Sequence, residues 1–388
     1  MAFREGAHKL GNHMKIGITG SNGFVGYHLT QFLKLEVKNR LVNFKRDWFQ
    51  DSDLLDAFVT ECDVIVHLAG INRHESEEEL YRLNVEMGQK LADSLARTGA
   101  SAHVIMSSST QEDRDNPYGK SKKIARETLA QWAKESKSQF TGLLIPNVFG
   151  PFGKPNYNSV VATFCHKIAN GEKPEIHVDG EIKLIYVLDL VSQIQSLIEK
   201  PNSIPREGGV ATYLIPHSKE IKVSTLLDQL TRIKSQYMDQ LSFPSLENEF
   251  DKALFNTFRC YVPKGFYPKK FTQHTDNRGA FVELARTYTS GQTSFSTTVP
   301  GITRGNHYHT RKAERFAVIK GKALIQLRKM GTDEVIDYEL DGNEPAFVDM
   351  PIWTTHNIKN IGKEELLTVF WINEPFNPKD SDTYFEEV

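Results

Sequence analysis

Residues 301–321 read GITRGNHYHTRKAERFAVIKG. His307 and His309 stand one residue apart, which on a β-strand puts both imidazoles on the same face. Glu314 follows after a short turn, and Gly321, seven residues beyond it, is expected at a hairpin. Two imidazoles and a carboxylate are the ligand types taken by zinc and other borderline first-row divalent ions. A lone histidine is usually a satisfied core or surface residue, so the weight lies in the grouping. Downstream, Pro351-x-Trp353-x2-His356-x3-Asn360 brings a third imidazole. His307, His309, Glu314 and His356 are thus a candidate ligand set for one divalent cation, with zinc the expected metal.

Gly-x5-His-x-His-x4-Glu-x6-Gly followed by that second cluster resembles the two-part signature of the cupin barrel. Trp353 and Pro345 stand where cupins usually carry glycine. The resemblance implies an all-β cupin (jelly-roll) domain over residues 263–388. Its entry motif, Asp276-Asn277-Arg278-Gly279-x-Phe281-x-Glu283, and the segment Arg304-Gly305-x-His307 are similar to the dTDP-4-dehydrorhamnose 3,5-epimerases, which are also cupins. In those enzymes the histidine is a base and no metal is present. Arg278 and Arg304 become candidate substrate contacts, and His307 keeps two roles open, base or metal ligand.

Outward from this stretch, 388 residues exceed one ordinary core, and two domains are expected. The formal charge of −2 gives no nucleic-acid footprint and no basic membrane face. No apolar run approaches the ~18 residues of a membrane span. Three cysteines without a CxxC read as free thiols in a reducing cytoplasm. Residues 1–13 lack the apolar stretch of a signal peptide and read as a disordered extension or an expression scar.

From Met14, an apolar strand (Lys15–Thr19) runs into Gly20-Ser21-Asn22-Gly23-Phe24-Val25-Gly26 and then a helical pattern. A glycine turn between strand and helix lets backbone amides approach a pyrophosphate, which makes Gly20, Gly23, Phe24, Val25 and Gly26 cofactor candidates. The second strand ends at Lys45-Arg46, where cations suit the 2′-phosphate of NADP and an acid would suit NAD. NADPH is therefore expected over NADH, although Asp47 is adjacent. Asp63-Val64-Ile65-Val66-His67-Leu68-Ala69-Gly70 reads as a buried parallel strand. Asp63 would suit the adenine amine, and Leu68, Ala69 and Gly70 would line the cofactor's path. Asn84 could tie the next helix to the active-site strand.

A further strand ends in Ser107-Ser108-Ser109-Thr110, and Tyr118 and Lys122 then fall at i and i+4, on one helical face. A lysine beside a phenol is expected to lower the tyrosine pKa and fit it for proton transfer. This set resembles the extended short-chain dehydrogenase/reductase family, which implies a Rossmann-type doubly wound parallel sheet over residues 14–245. In that pattern Ser109 takes the catalytic position, with Ser108 and Thr110 close enough to compete, and the serine-to-tyrosine loop is trimmed. Leu143–Gly150 and Gly180–Leu190 match later parts of the pattern. They offer Pro146 beside the nicotinamide, Asn147 on the sugar, and Lys183 for a diphosphate. Asp228–Phe258 reads as polar and helical, and residues 246–262 as a linker.

End to end, including Lys154-Pro155-Asn156-Tyr157-Asn158-Ser159-Val160 and Asp382-Thr383-Tyr384-Phe385, the chain resembles the bifunctional CapF-type enzymes of capsular polysaccharide synthesis. The resemblance implies C3 epimerisation of a UDP-4-keto-6-deoxy-N-acetylhexosamine, then NADPH reduction at C4. The product would be UDP-N-acetyl-6-deoxy-L-talosamine, a precursor of N-acetyl-L-fucosamine. A UDP-sugar is the expected partner and a homodimer the expected assembly. The rival readings are a reductase with a structural cupin, and a binding protein that has lost catalysis. An intact Ser109/Tyr118/Lys122 set argues against the latter, since a sensor has no need of a proton relay.

Overall fold

The first half of the chain alternates short apolar runs with amphipathic stretches and folds as strand and helix in turn. The computed structural model describes residues 14–36, 39–271, 274–276, 279–281, 286–287, 291–374 and 379–388. Its elements run β1 (Met14–Thr19), α1 (Phe24–Leu33), β2 (Asn39–Val42), α2 (Ser52–Glu61), β3 (Val64–His67), α3 (Glu77–Thr98), β4 (His103–Ser109), α4 (Pro117–Ser136) and β5 (Phe140–Ile145). They continue with β6 (Asn147–Phe149), α5 (Val160–Ala169), β7 (Glu181–Tyr186), α6 (Val187–Glu199), β8 (Val210–Leu214) and β9 (Lys219–Lys222). One six-stranded sheet has the order β2-β1-β3-β4-β5-β8, and its neighbouring strands are all parallel. Such strands are covered on both faces and read as unbroken apolar runs. Ile65, Val104 and Met106 form one core with Leu91 and Leu95 of α3 and Leu129 and Trp132 of α4. Val66 and Ile105, one residue along, point to the other face by the period of two.

The second half continues with α7 (Val223–Lys234), β10 (Ser242–Phe243), α8 (Glu249–Arg259), β11 (Lys269–Lys270), β12 (His274–Asp276), β13 (Gly279–Phe281), β14 (Arg286–Thr287) and β15 (Gln292–Thr298). There follow β16 (Thr303–Tyr308), β17 (Glu314–Lys320), β18 (Lys322–Lys329), β19 (Val335–Asp341), β20 (Ala346–Met350), β21 (Thr354–Asn360), β22 (Leu366–Ile372) and β23 (Tyr384–Phe385). Two five-stranded sheets result, β11-β20-β17-β22-β15 and β19-β18-β21-β16-β23. Phe316, Val318 and Val348 of the first meet Ile325, Leu327 and Ile358 of the second in one core. This is the expected antiparallel cupin architecture. Gly321 does not close a hairpin, because β17 pairs with β20 and β22 while β18 pairs with β19 and β21. With φ +84 it is a corner at which the chain changes sheets.

The chain forms two compact units. One comprises Met1–Phe149, Asn156–Ser159 and Glu181–Ile221, and the other Gly150–Pro155, Val160–Gly180 and Lys222–Val388. The stretch read as a polar helical bridge is broken between α7 and α8. α8 is no exposed linker: Leu254, Phe255 and Phe258 are fully buried. Arg259 Nη1 donates to the Met350 carbonyl at 3.2 Å, so α8 packs within the barrel's unit.

Candidate functional site

The carboxyl ends of β1 and β3 meet at the glycine turn. Gly20 has φ +77, and a Cβ there would lie 2.8 Å from the Ala69 amide nitrogen. Gly26 is tighter still, since its Cβ would come within 2.1 Å of the Gly20 carbonyl oxygen. Gly23 opens α1 with no side-chain cap, and the first turn carries no acidic residue. The amides of Phe24, Val25 and Gly26 and the positive end of the helix dipole are left for an anion. Leu68, Ala69 and Gly70 run alongside: Leu68 N donates to the Thr19 carbonyl at 3.1 Å, and Ala69 N to Thr19 Oγ1 at 3.3 Å.

Lys45 and Arg46 follow β2 and are exposed, with no ion pair among the described residues. Asp63 is a correction. It precedes β3, at the amino end of the sheet, and its carboxylate accepts from the Lys15 amide at 2.8 Å. Four strand residues, roughly 13 Å at ~3.3 Å each, separate it from the glycine turn. Ligands of open parallel sheets bind at the carboxyl ends, so Asp63 serves the start of β1 and not the adenine.

Tyr118 and Lys122 both lie on α4, which starts where the Asn116 side chain accepts from Gly119 N at 2.7 Å and Pro117 fills the first position. Lys122 is only 4% exposed. Burial pushes its ammonium down to about 8, against the opposing pull of Glu112. A Cβ on Gly70 would sit 3.5 Å from Lys122 Nζ, which puts this cation at the end of β3. Asn84 ties the surroundings together. Its side chain bonds the Ile71 amide at 2.7 Å and carbonyl at 2.9 Å, and donates to Ser121 Oγ at 3.2 Å. The expected lowering of the Tyr118 pKa is not found: burial, with Tyr157 nearby, pushes the phenol up to about 12. Tyr118 therefore holds its proton at neutral pH, as an acid must.

Along β4 the hydroxyls of the serine cluster differ in their partners. Ser108 Oγ is bonded to Glu112, whose carboxylate is gripped by Arg126 at 2.8 and 2.9 Å. Thr110 lies exposed beyond the strand. Ser109 Oγ accepts from Gln111 N at 3.1 Å, leaving its proton to donate. Glu112 went unnoticed in the sequence; the only cue was its place in the trimmed loop. Pro146 is buried between β5 and β6. Asn147 Nδ2 donates to the Lys183 carbonyl at 3.2 Å, so the two share neighbouring strands, while Lys183 Nζ lies 4.0 Å from Glu220.

The barrel gathers its ligands by a different device. Along β16 and β21, Gly305 pairs with Asn357 and His307 with His356, so Asn306 is an extra residue in a bulge. A bulge re-aims the next side chain, and here it sets His307 opposite His356, with ring centroids 4.6 Å apart. Glu314, at the head of β17, comes from the other sheet. Ligand atoms of His307, His309, Glu314 and His356 all lie within 4.8 Å of one another. Trp353 holds the left-handed φ of +54 at the glycine position of the cupin pattern. Its indole is fully buried and stacked on Tyr308 at 5.6 Å. Its amide donates to the His309 carbonyl at 2.9 Å.

Charges here are mutually dependent. Burial and the neighbouring imidazoles push His307 down to about 4. Burial also opposes charge on His309, but Glu314 outweighs it and the net shift is upward. Burial works to raise the Glu314 carboxyl, but His309 outweighs it and holds the group well below the ordinary carboxylate range. His356 Nδ1 lies 3.2 Å from the Thr354 carbonyl and must carry the proton. Its Nε2 then presents a lone pair 3.3 Å from Glu314 Oε2, without a hydrogen-bond partner. Two buried lone pairs facing each other are what a cation between them relieves, so the donor set fits a divalent metal. Arg304 is exposed, and its Nη1 donates to the Thr297 carbonyl at 2.9 Å. Arg278 lies outside the described residues. Sequence reasoning missed the part played by Asp382, whose carbonyl receives the His309 Nδ1 proton; its one cue was membership of the terminal Asp-Thr-Tyr-Phe stretch.

Residues 16–212 match the model of the NAD dependent epimerase/dehydratase family, and residues 274–384 that of the polysaccharide biosynthesis C-terminal domain. The chain is 34% identical to the UDP-2-acetamido-2,6-beta-L-arabino-hexul-4-ose reductase of Pseudomonas aeruginosa, over 96% of this chain and 98% of that protein. The structure resembles the capsular polysaccharide assembling protein CapF from Staphylococcus aureus, with a TM-score of 0.60 and 36% identity, covering 97% of this chain and 100% of that one. The spore coat polysaccharide biosynthesis protein SpsL of Bacillus subtilis is 27% identical over 30% of this chain and 85% of its own length.

Proposed function

The chain belongs to the CapF-type branch of the NAD-dependent epimerase/dehydratase family, and on that premise we propose that it is an NADPH-dependent nucleotide-sugar reductase that first epimerises its own substrate. The substrate is a UDP-4-keto-6-deoxy-N-acetylhexosamine, and the product UDP-N-acetyl-6-deoxy-L-talosamine serves capsular or surface polysaccharide synthesis. The observation that carries this reading is the whole-length likeness to a reductase of a UDP-linked 4-ketose.

Chemistry dictates the order. A hydrogen at C3 is acidic only while a C4 ketone can hold the developing charge as an enolate. Epimerisation in the barrel therefore precedes reduction, and reduction traps the epimer. Arg304 and Arg278 are the cationic contacts for the nucleotide-sugar there, and His307 is either the base at C3 or a ligand. A zinc ion held by His307, His309, Glu314 and His356 supplies a fixed positive charge when bound. In the Rossmann unit the amides of Phe24, Val25 and Gly26, together with Lys45 and Arg46, hold the cofactor's phosphates. The bound nicotinamide supplies a hydride. Tyr118 gives its proton to the C4 oxygen, Ser109 donates a hydrogen bond to that oxygen, and Lys122 keeps a positive charge beside the phenol. Asn147 and Lys183 contact the sugar diphosphate.

Isotope exchange tests the reading. In deuterated water without NADPH, the protein is expected to place deuterium at C3 of the 4-keto substrate, and Tyr118→Phe to do so equally. His307→Ala is expected to lose exchange while retaining some NADPH oxidation, with C3 configuration unchanged in the product. Absence of exchange in every protein would mark the barrel as structural.

A further inference from the structure

The geometry points to Asp382 as a positioning residue through which the carboxy-terminal segment holds the cation site in ligating form. The inference rests on the metal reading of the barrel. Asp382 is 2% exposed, and its carboxylate is fully engaged. It accepts from Thr310 N at 3.0 Å, Thr310 Oγ1 at 2.6 Å, Arg311 N at 3.1 Å and Lys312 N at 3.1 Å. Consecutive amides converging on one anion form a nest. With a carboxylate inside it, the turn that joins His309 to Glu314 is fixed.

The same residue also sets the imidazole. Its carbonyl oxygen is bonded to His309 Nδ1. A carbonyl only accepts, so Nδ1 carries the proton and Nε2 faces Glu314 Oε2, 2.9 Å away. Asp382 does this from a left-handed φ of +41, a conformation that persists in a non-glycine residue only where the surroundings over-determine it. Those surroundings reach the other ligands. β23 pairs with β16, placing Phe385 opposite His307, and Glu386 N donates to the carbonyl of the bulged Asn306 at 2.9 Å. One short segment thus braces both the bulge that aims His307 and the turn that aims His309.

The test measures zinc affinity by competition with a chromophoric chelator, using the full-length metal-stripped protein, beside the melting temperature of each metal-free form. Asp382→Asn replaces one acceptor oxygen with an amide that faces other donors, and leaves the backbone carbonyl in place. It is expected to weaken zinc binding by roughly 10–100-fold, the usual scale for a disturbed orienting partner, because the carboxylate in its nest places the carbonyl that holds His309. Asp382→Ala is expected to weaken it at least as much, and the metal-free Asn variant to melt within a few degrees of wild type. If wild type takes up zinc and both variants match its affinity, the inference is overturned and the metal reading stands. Lower metal-free melting with unchanged affinity would mark an ordinary structural tie and overturn it too. If wild type takes up no zinc, the metal reading itself falls and carries this inference with it. Should the Ala variant not fold, the Asn variant decides.

Discussion

In the Rossmann unit the groups that converge at the carboxyl ends of the strands are donors and cations. They are the uncapped start of α1, the exposed Lys45 and Arg46, and the buried ammonium of Lys122. In the barrel the converging groups are lone pairs, three imidazoles and a carboxylate. Each site is incomplete in charge, and in opposite senses. The first suits the polyphosphate of the proposed cofactor and the second the proposed cation. Burial reveals the same contrast. Lys122 and Tyr118 are both driven toward neutrality by burial. In the barrel Glu314 is pulled down and His309 up against burial, because each favours the charged form of the other.

The largest effect should come from breaking the acid in the first site. Tyr118→Phe keeps the packing and removes the proton, so NADPH-dependent turnover is expected to fall roughly 10²–10⁴-fold, with cofactor binding retained. Stopped-flow or steady-state absorbance at 340 nm reads it. A near-wild-type rate would remove Tyr118 from the mechanism.

Removing the cation tests the second site. Free zinc at ~1,000 times its dissociation constant stabilises a native protein by about 4 kcal/mol, because binding energy at such a site is folding energy. Stripping the metal is therefore expected to lower the melting temperature of the barrel by several degrees. His356→Ala should abolish the difference between stripped and loaded protein. Equal melting of stripped and loaded wild type would mean that the lone pairs are reconciled by a proton alone.

How far these sites were legible depended on distance along the chain. Tyr118 and Lys122 lie on one helix, so an i, i+4 spacing sufficed. His307, His309 and Glu314 lie close enough for a motif. Setting Ser108 aside in favour of Ser109 as the proposed donor required seeing that Glu112, itself held by Arg126, engages Ser108. Asp63 misled because a strand's two ends look alike in sequence, and only the parallel sheet shows which end faces the ligand. Asp382 lies 73 residues from His309, and it acts through a carboxylate bonded to backbone amides and a backbone carbonyl bonded to the imidazole, contacts that no residue pattern encodes. Gly321 had the right conformation and the wrong partner strand, since a left-handed corner and a hairpin turn both select glycine.

Stability in the Rossmann unit sharpens the contrast from another direction. Lys122 falls from 10.5 to about 8 in the folded chain. Between those values the unfolded chain binds a proton that the folded chain does not, so stability rises with pH across that window. At neutral pH the buried ammonium opposes folding by roughly 3 kcal/mol. Lys122→Met is expected to stabilise the cofactor-free protein by about that much in urea titrations at pH 7 and to lose the rise between pH 8 and 10. It should abolish reduction at the same time. A variant less stable than wild type at pH 7 would show that the lysine is held by attraction after all.

The smallest effect concerns Lys45 and Arg46, the two exposed cations proposed to favour NADPH. An ion pair in water is worth at most about 1 kcal/mol in ordinary surface geometry, and a guanidinium that grips a phosphate with two bonds is worth somewhat more. Lys45 and Arg46 are exposed and make no ion pair among the described residues, so no carboxylate competes with a 2′-phosphate for them. Replacing both with alanine is expected to raise the KM for NADPH about fivefold to tenfold and leave that for NADH unchanged. The difference should shrink as salt rises to 0.5 M, because the Debye length falls well below the ~10 Å at 0.1 M. Equal losses for both cofactors would place these side chains against the shared pyrophosphate instead. No loss for either would return them to the solvated surface and leave the glycine turn and Lys122 as the whole of the anion site.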